Sequence, residues 1–232
     1  MADLHGHADQ LSRLKGLNAD LIAFCGDLHN SGTIQEARPI ARALASQSTP
    51  VFIVPGNMDP KGFVLDLWQE VGLTVLHDKS SQLRETGFIG FGGMAIHNPM
   101  RISDLARFYL PEEEVYKSLA NTYMEISDLP RRVVLSHQPP RGARDTIHSG
   151  EAVGSLSLRR FIDGRRIEAA LPPGLRRRGV VLEGLQPIGG LTNRNYKLFV
   201  GGEALVLRLP GRGTGRAPRR RGRPAGRSAS PA

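Results

Sequence analysis

The chain holds one cysteine, Cys25, and one tryptophan, Trp68, and aromatic residues make up only 6% of it. A single thiol excludes an intramolecular disulfide and agrees with a reducing, cytoplasmic setting. No apolar run approaches the ~18–20 residues that a membrane helix requires. The opening residues place Asp3, His5 and His7 where a secretory signal would carry basic and then apolar side chains, so no signal is expected. Acidic residues are absent from 211–232, where seven arginines stand among Gly, Pro, Ala and Ser. That stretch lacks the apolar surface needed to fold and reads as disordered. Secreted and membrane-spanning classes are therefore not expected.

What is present is enough for one medium domain, or a small domain with a fragment of another: 232 residues, 40% of them hydrophobic. The net charge of +9 is unevenly held. Residues 1–158 carry 14 Lys/Arg against 18 Asp/Glu, whereas 159–232 carry 17 against 4. Such asymmetry points to a basic extension attached to an unrelated domain.

Apolar periodicity divides the first two-thirds into alternating elements. Residues 21–26, 51–55 and 132–136 are strand-length apolar runs. Between them, 33–45 sets Ile34, Ala37, Ile40, Ala41 and Leu44 on one helical face, with Pro39 predicted to disturb its start. Residues 61–71 and 111–128 read as further helices, the second with Glu112, Glu113 and Glu114 in its first turn. Alternating strands and helices predict an α/β fold. Beyond about 164 the pattern changes, with strands expected near 180–182, 195–200 and 203–209 and a Gly201-Gly202 hairpin turn between the last two.

Each strand of the first part runs into a metal-type residue. Asp3 and His5 open the chain, Asp27 follows Gly26, Asn57 follows Gly56, and His137 follows Ser136. In α/β folds, groups at the C-terminal ends of neighbouring strands share one crevice. A mixed oxygen and nitrogen set suits Mn, Fe, Zn or Mg better than a thiolate metal.

These residues, as Asp3-Leu4-His5, Gly26-Asp27, Gly56-Asn57-Met58-Asp59 and Ser136-His137-Gln138-Pro139-Pro140, resemble the four leading blocks of the calcineurin-like metallophosphoesterases. The resemblance covers roughly 2–163 and implies a calcineurin-like β-sandwich of mixed sheets flanked by helices. It further implies Asp3 and His5 on one divalent cation, Asp27 bridging, and Asn57 and His137 on a second. Manganese is the first expectation, with Fe, Zn, Ni or Mg as alternatives. Asp27, Asn57 and His137 would carry the catalysis. Two cations about 3.5–4 Å apart would then activate a hydroxide against a small phosphoester, a phosphodiester being the expected substrate.

Three departures accompany the resemblance. Met58 stands where many relatives place a histidine, the closing G-H-x-H block is missing, and only Met1 and Ala2 precede Asp3 where a full strand is usual. The sandwich is therefore expected to be incomplete, and a catalytically inactive remnant is the alternative reading.

From Ile188-Gly189-Gly190-Leu191-Thr192-Asn193 to Pro210-Gly211 the chain resembles instead the start of a choline kinase/aminoglycoside phosphotransferase N-lobe, with Arg208 on its strand. No H-x-D catalytic loop follows, so kinase activity is not expected. The domains read as 1–163 phosphoesterase, 164–179 basic linker, 180–214 kinase-like antiparallel fragment and 215–232 disordered tail. The Arg/Pro/Gly/Ala tail matches GC-rich codons read out of frame, so the chain reads as a fusion. Nucleic-acid binding by the tail is a further alternative, weakened by the lack of interleaved aromatics. Oligomeric state is left open.

Other residues have plainer readings. His7 and His29 lie close enough in sequence to act as outer donors. His97 reads as a turn residue, His77 and His148 as surface, Cys25 as a small core side chain, and Trp68 as helix-face packing.

Overall fold

The computed structural model describes residues 1–14, 19–143, 145–147, 149–167, 169–171, 183–187, 193–200 and 203–210. A 3-10 helix, Ala8–Leu14, leads into β1 (Leu21–Cys25), α1 (Ile34–Ala45), β2 (Val51–Val54), α2 (Val64–Glu70) and β3 (Thr74–Val75). Then come β4 (Ser80–Leu83), β5 (Thr86–Phe91), β6 (Met94–Ile96), α3 (Pro99–Ile102), β7 (Tyr109–Pro111) and α4 (Glu112–Met124). β8 (Arg131–Ser136), α5 (Leu156–Asp163) and β9 (Ala169–Leu171) precede β10 (Glu183–Pro187), β11 (Asn193–Val200) and β12 (Glu203–Pro210). No helix among the described residues is long and apolar enough to cross a membrane.

Two sheets face each other. One has the order β10-β11-β12-β1-β2-β3 and the other β4-β5-β8-β9, with β6 and β7 forming a separate parallel pair. Alternate residues of β1 serve two cores, as the two-residue period of a strand requires. Leu21, Ala23 and Cys25 pack with Phe52, Val54, Phe88, Val133 and Leu135 between the sheets. Ile22 and Phe24 join the helix-side core with Ile40, Leu44, Leu67 and Trp68. Burial on both faces explains why β1, β2 and the Val133-Val134-Leu135 centre of β8 read as unbroken apolar runs. This is the mixed α/β sandwich that the sequence predicts.

The disturbance expected at Pro39 does not occur. α1 starts at Ile34 behind Thr33, whose hydroxyl accepts from the Glu36 N–H while the Glu36 carboxylate accepts from the Thr33 N–H, forming a capping box. Pro39 faces solvent inside the helix. α2 starts later than the 61–71 pattern suggests, at Val64, because 61–63 form a turn in which the Phe63 and Val64 N–H groups both bond to the Pro60 carbonyl.

The edge of β1 is covered. Leu21 and Ile22 pair in parallel with Leu205 and Val206 of β12. Farther along, the Met1 amino group donates to the Ala23 carbonyl (2.5 Å) and the Cys25 N–H to the Met1 carbonyl (2.6 Å). β11 and β12 form the expected hairpin, in register from Asn193↔Pro210 to Val200↔Glu203. The strand expected at 180–182, the arginine tail and His148 lie outside the described residues.

His77 is not a surface residue. It is buried against the rings of Phe91 and Phe108, at centroid distances of 5.2 and 4.9 Å, and its Nδ1 accepts from the Gly92 N–H (3.1 Å). Burial lowers its pKa, and the nearby Asp78 only partly opposes this.

Two expectations follow. Removing 172–232 uncovers the Leu21–Ile22 edge, and the shortened chain should unfold at lower temperature and aggregate more than the full chain in light scattering; equal behaviour contradicts the pairing with β12. His77 folds in its neutral form, whereas the unfolded chain takes up a proton below about pH 6.5. Stability therefore falls as pH drops through that value toward the lower folded one. His77→Gln should make the fall in urea midpoint between pH 7.5 and 5 shallower; an unchanged slope would show that His77 does not contribute.

Candidate metal centre

The candidate ligands sit on loops that leave the ends of β1, β2 and β8, together with the N-terminal loop beside them. The N-terminal loop is laddered to the loop after β1. The Asp3 N–H donates to the Gly26 carbonyl (3.0 Å), His5 N–H to the Asp27 carbonyl (3.0 Å) and Gly6 N–H to the Leu28 carbonyl (2.9 Å). Asp3, His5 and Asp27 all hold left-handed backbone, with φ of 58°, 47° and 54°. Such conformations cost on the order of 1 kcal/mol or more for a residue with a side chain and persist only where surroundings impose them. Here the ladder imposes them.

Asp27 divides its two oxygens. Oδ1 accepts from the Met58 N–H (2.8 Å). Oδ2 lies 3.8 Å from His5 Nε2 and 3.6 Å from His137 Nε2. One carboxylate oxygen thus faces both imidazoles, while its twin is fixed to the loop after β2. Ligand atoms of Asp3, His5 and Asp27 all lie within 4.8 Å of one another.

His137 has a defined tautomer. Its Nδ1 lies 2.9 Å from the Cys25 carbonyl, which can only accept, so Nδ1 carries a proton. Nε2 then presents a lone pair in the neutral ring, 3.0 Å from Asn57 Oδ1. Three acceptor atoms, His137 Nε2, Asn57 Oδ1 and Asp27 Oδ2, therefore converge. Acceptors repel unless positive charge stands between them. Burial disfavours imidazolium at His137, but the charges of Asp27 and Asp3, the bond to Cys25 and the charge of Asp59 outweigh it and raise its pKa. The field that draws a proton to this position would draw a divalent cation. Oxygen and imidazole donors at these separations fit Mn, Fe, Zn or Mg.

Asp59 was legible only as the end of a sequence block, yet it organises the centre. It is fully buried; Oδ2 accepts from the N–H groups of Asp27 (2.9 Å) and Gly56 (2.7 Å), and Oδ1 from that of His29 (2.8 Å). Burial and the charge of Asp27 push its pKa up to about 7, against the Gly56 and His29 N–H groups and His137. Gln138 was likewise legible only within its block. Its Oε1 accepts from the Ala95 N–H (2.9 Å) and its Nε2 donates to the Val153 carbonyl (2.7 Å), fixing the segment after His137.

The remaining candidates stand apart from the ligand cluster. His29 is buried and accepts from Trp68 Nε1–H (3.1 Å), and burial lowers its pKa to about 4. Trp68 is therefore a hydrogen-bonding anchor as well as packing. His7 and His97 are exposed, His97 in a bend as expected. Cys25 is buried in the inter-sheet core, and burial pushes its thiol up to about 11.

Gly56 sets the tolerance of this arrangement. A Cβ there would stand 2.1 Å from Asp27 Oδ1 and 2.3 Å from Asp27 N. Gly56→Ala is expected to displace Asp27 and to weaken Mn²⁺ binding in equilibrium dialysis while leaving the far-ultraviolet circular dichroism unchanged. Undiminished Mn²⁺ binding would show that the close approach is unimportant.

Comparisons with known proteins bear on the family and the fold. Residues 1–170 match the family model described as calcineurin-like phosphoesterase. A search of curated proteins returned no significant match. Twelve solved chains match in structure. One of them, a crystal structure, superposes with a TM-score of 0.65 at 18% identity, over 89% of this chain and 87% of its own. At that identity the likeness concerns the fold, and it reaches beyond residues 1–170. With a family model spanning most of its length and four sequence blocks meeting in one crevice, the chain belongs to the calcineurin-like phosphoesterase family.

Proposed function

We propose that the chain hydrolyses a small phosphoester, a phosphodiester in particular, with two divalent cations held by Asp3, His5, Asp27, Asn57 and His137. Asp3 and His5 would hold one cation, Asn57 and His137 the other, and Asp27 would bridge them. The observation that carries this reading is the convergence of three acceptor atoms, His137 Nε2, Asn57 Oδ1 and Asp27 Oδ2, with Oδ2 also facing His5. Bound cations of this kind polarise a phosphoryl oxygen and lower the pKa of a water.

The protein groups have separate tasks. The Cys25 carbonyl holds His137 in the tautomer that turns its lone pair to the centre. The Met58 N–H holds one oxygen of Asp27 and leaves the other for sharing. Asn57 contributes a neutral oxygen, which limits the negative charge that an anionic substrate must approach. Manganese is the first choice of metal, with Fe, Zn, Ni and Mg as alternatives, and the setting is cytoplasmic. The catalytic unit is 1–163, and the kinase-like 180–214 contributes strands rather than phosphotransfer. A second reading, a remnant holding one cation or none, is favoured by the missing G-H-x-H block.

The test is hydrolysis of bis(p-nitrophenyl) phosphate with and without Mn²⁺, beside Asp27→Ala. Turnover should require Mn²⁺ and fall to the metal-free background in the variant. Soluble wild-type protein that performs no better than Asp27→Ala would favour the remnant.

A further inference from the structure

The segment between α3 and β7 lies against the loops that carry the candidate ligands. The Phe108 N–H donates to the Asn57 carbonyl (3.2 Å), the Gly62 N–H to the Leu105 carbonyl (3.0 Å) and the Ser31 hydroxyl to the Ala106 carbonyl (3.3 Å). Arg107 is thereby fixed beside Asn57 by its backbone neighbours on both sides. Its guanidinium reaches back over Met58, with Nη1 against the Met58 sulfur. The backbone N–H of that same Met58 holds Asp27 Oδ1. A cationic side chain thus stands one residue from Asn57 and over the residue that fixes Asp27.

The partners of Arg107 do not account for its position. A guanidinium offers five N–H donors, and a thioether is a weak acceptor. Among the described residues, no carboxylate lies within ion-pair distance of Arg107. Its neighbouring cations are otherwise engaged. Arg101 donates to the Tyr109 hydroxyl (2.7 Å) and lies over the same ring, and Lys61 donates to the Tyr109 carbonyl (3.2 Å). Arg107 is only half-buried, so its guanidinium is open to solvent on one side.

We propose that Arg107 binds a phosphoryl oxygen of the substrate through its guanidinium fork, beside the centre formed by Asp27, Asn57 and His137. This rests on the phosphoester reading of the same site and adds to it the residue that grips the anion. The planar fork suits two oxygens of one phosphoryl group, which a lysine cannot reproduce. It also offsets the carboxylates of Asp3, Asp27 and Asp59, which would otherwise repel an anionic substrate.

The experiment uses the full, Mn²⁺-loaded chain with inorganic phosphate as the probe. Phosphate affinity by calorimetry and metal content by atomic absorption are compared for wild type, Arg107→Gln and Arg107→Lys. Arg107→Gln keeps much of the stem over Met58, and it should weaken phosphate binding roughly tenfold or more with metal content unchanged. Arg107→Lys should restore part of the loss, and KM for bis(p-nitrophenyl) phosphate should rise in the same order. Equal phosphate affinity in the three proteins overturns the proposal, as does loss of metal together with phosphate, or no phosphate binding by wild type. Should Arg107→Gln fail to fold, Arg107→Lys against wild type carries the comparison. If wild type binds phosphate in an Arg107-dependent way yet turns over no ester, the hydrolase reading falls and the anion grip stands.

Discussion

A carboxylate that no solvent reaches holds this centre in register. Asp59 accepts backbone N–H groups from Asp27, Gly56 and His29, so it ties the loop after β1 to the loop after β2. Each of those loops carries one candidate ligand, Asp27 on the first and Asn57 on the second. Without Asp59, three backbone donors in a dry environment would lack acceptors, and leaving even one such group unpaired costs about 1–3 kcal/mol. The tie also explains the contact of Gly56 with Asp27. The loops approach so closely that a side chain on one would overlap the other.

The electrostatics of the site follow from that tie. Asp59 is held near Asp27 in a buried region, and burial first, then the charge of Asp27, push its pKa up to about 7. Positive charge relieves the pair. The same field acts on His137, whose pKa is raised despite burial by the charges of Asp27, Asp3 and Asp59 and by its bond to Cys25. The arrangement is therefore unfavourable for a bare set of acceptors and favourable for one that shares a cation, consistent with residues whose backbones are held in left-handed conformations for the purpose.

Among the candidate ligands, Asp27, Asn57 and His137 were legible because each comes just after an apolar run buried on both faces, and such runs stand out in composition. Much else was hidden for physical reasons. β3, β4, β6 and β7 span two to four residues each, too short for any period to register. β5 carries glycines that a propensity reading places in turns, yet at Gly90 a Cβ would stand 2.6 Å from Val54 Cγ1, so a bare backbone is what lets the sheets approach. His77 looked like surface because an isolated imidazole leading into Asp78, Lys79 and Ser80 gives no sign of the Phe91 and Phe108 rings that enclose it. Pro39 looked disruptive because the Thr33–Glu36 capping box, which fixes the start of the helix, acts through side-chain geometry. Asp59 and Gln138 stood in plain view, but their work is done through backbone N–H and carbonyl groups, which no sequence pattern displays.

Two sets of backbone bonds lie along and beyond β1, and they do different work. Met1 spans only the C-terminal half of β1, through Ala23 and Cys25, and β12 covers Leu21 and Ile22 instead. Those bonds complete the sheet. The bonds that position the ligands are different ones: Asp3 to Gly26, His5 to Asp27 and Gly6 to Leu28, all beyond the end of β1. A ladder of loop against loop, braced by Asp59 from the other side, sets the backbone of Asp3, His5 and Asp27. The sheet bonds bear on stability and the loop ladder on the site, so a change that weakens one set does not by itself disturb the other.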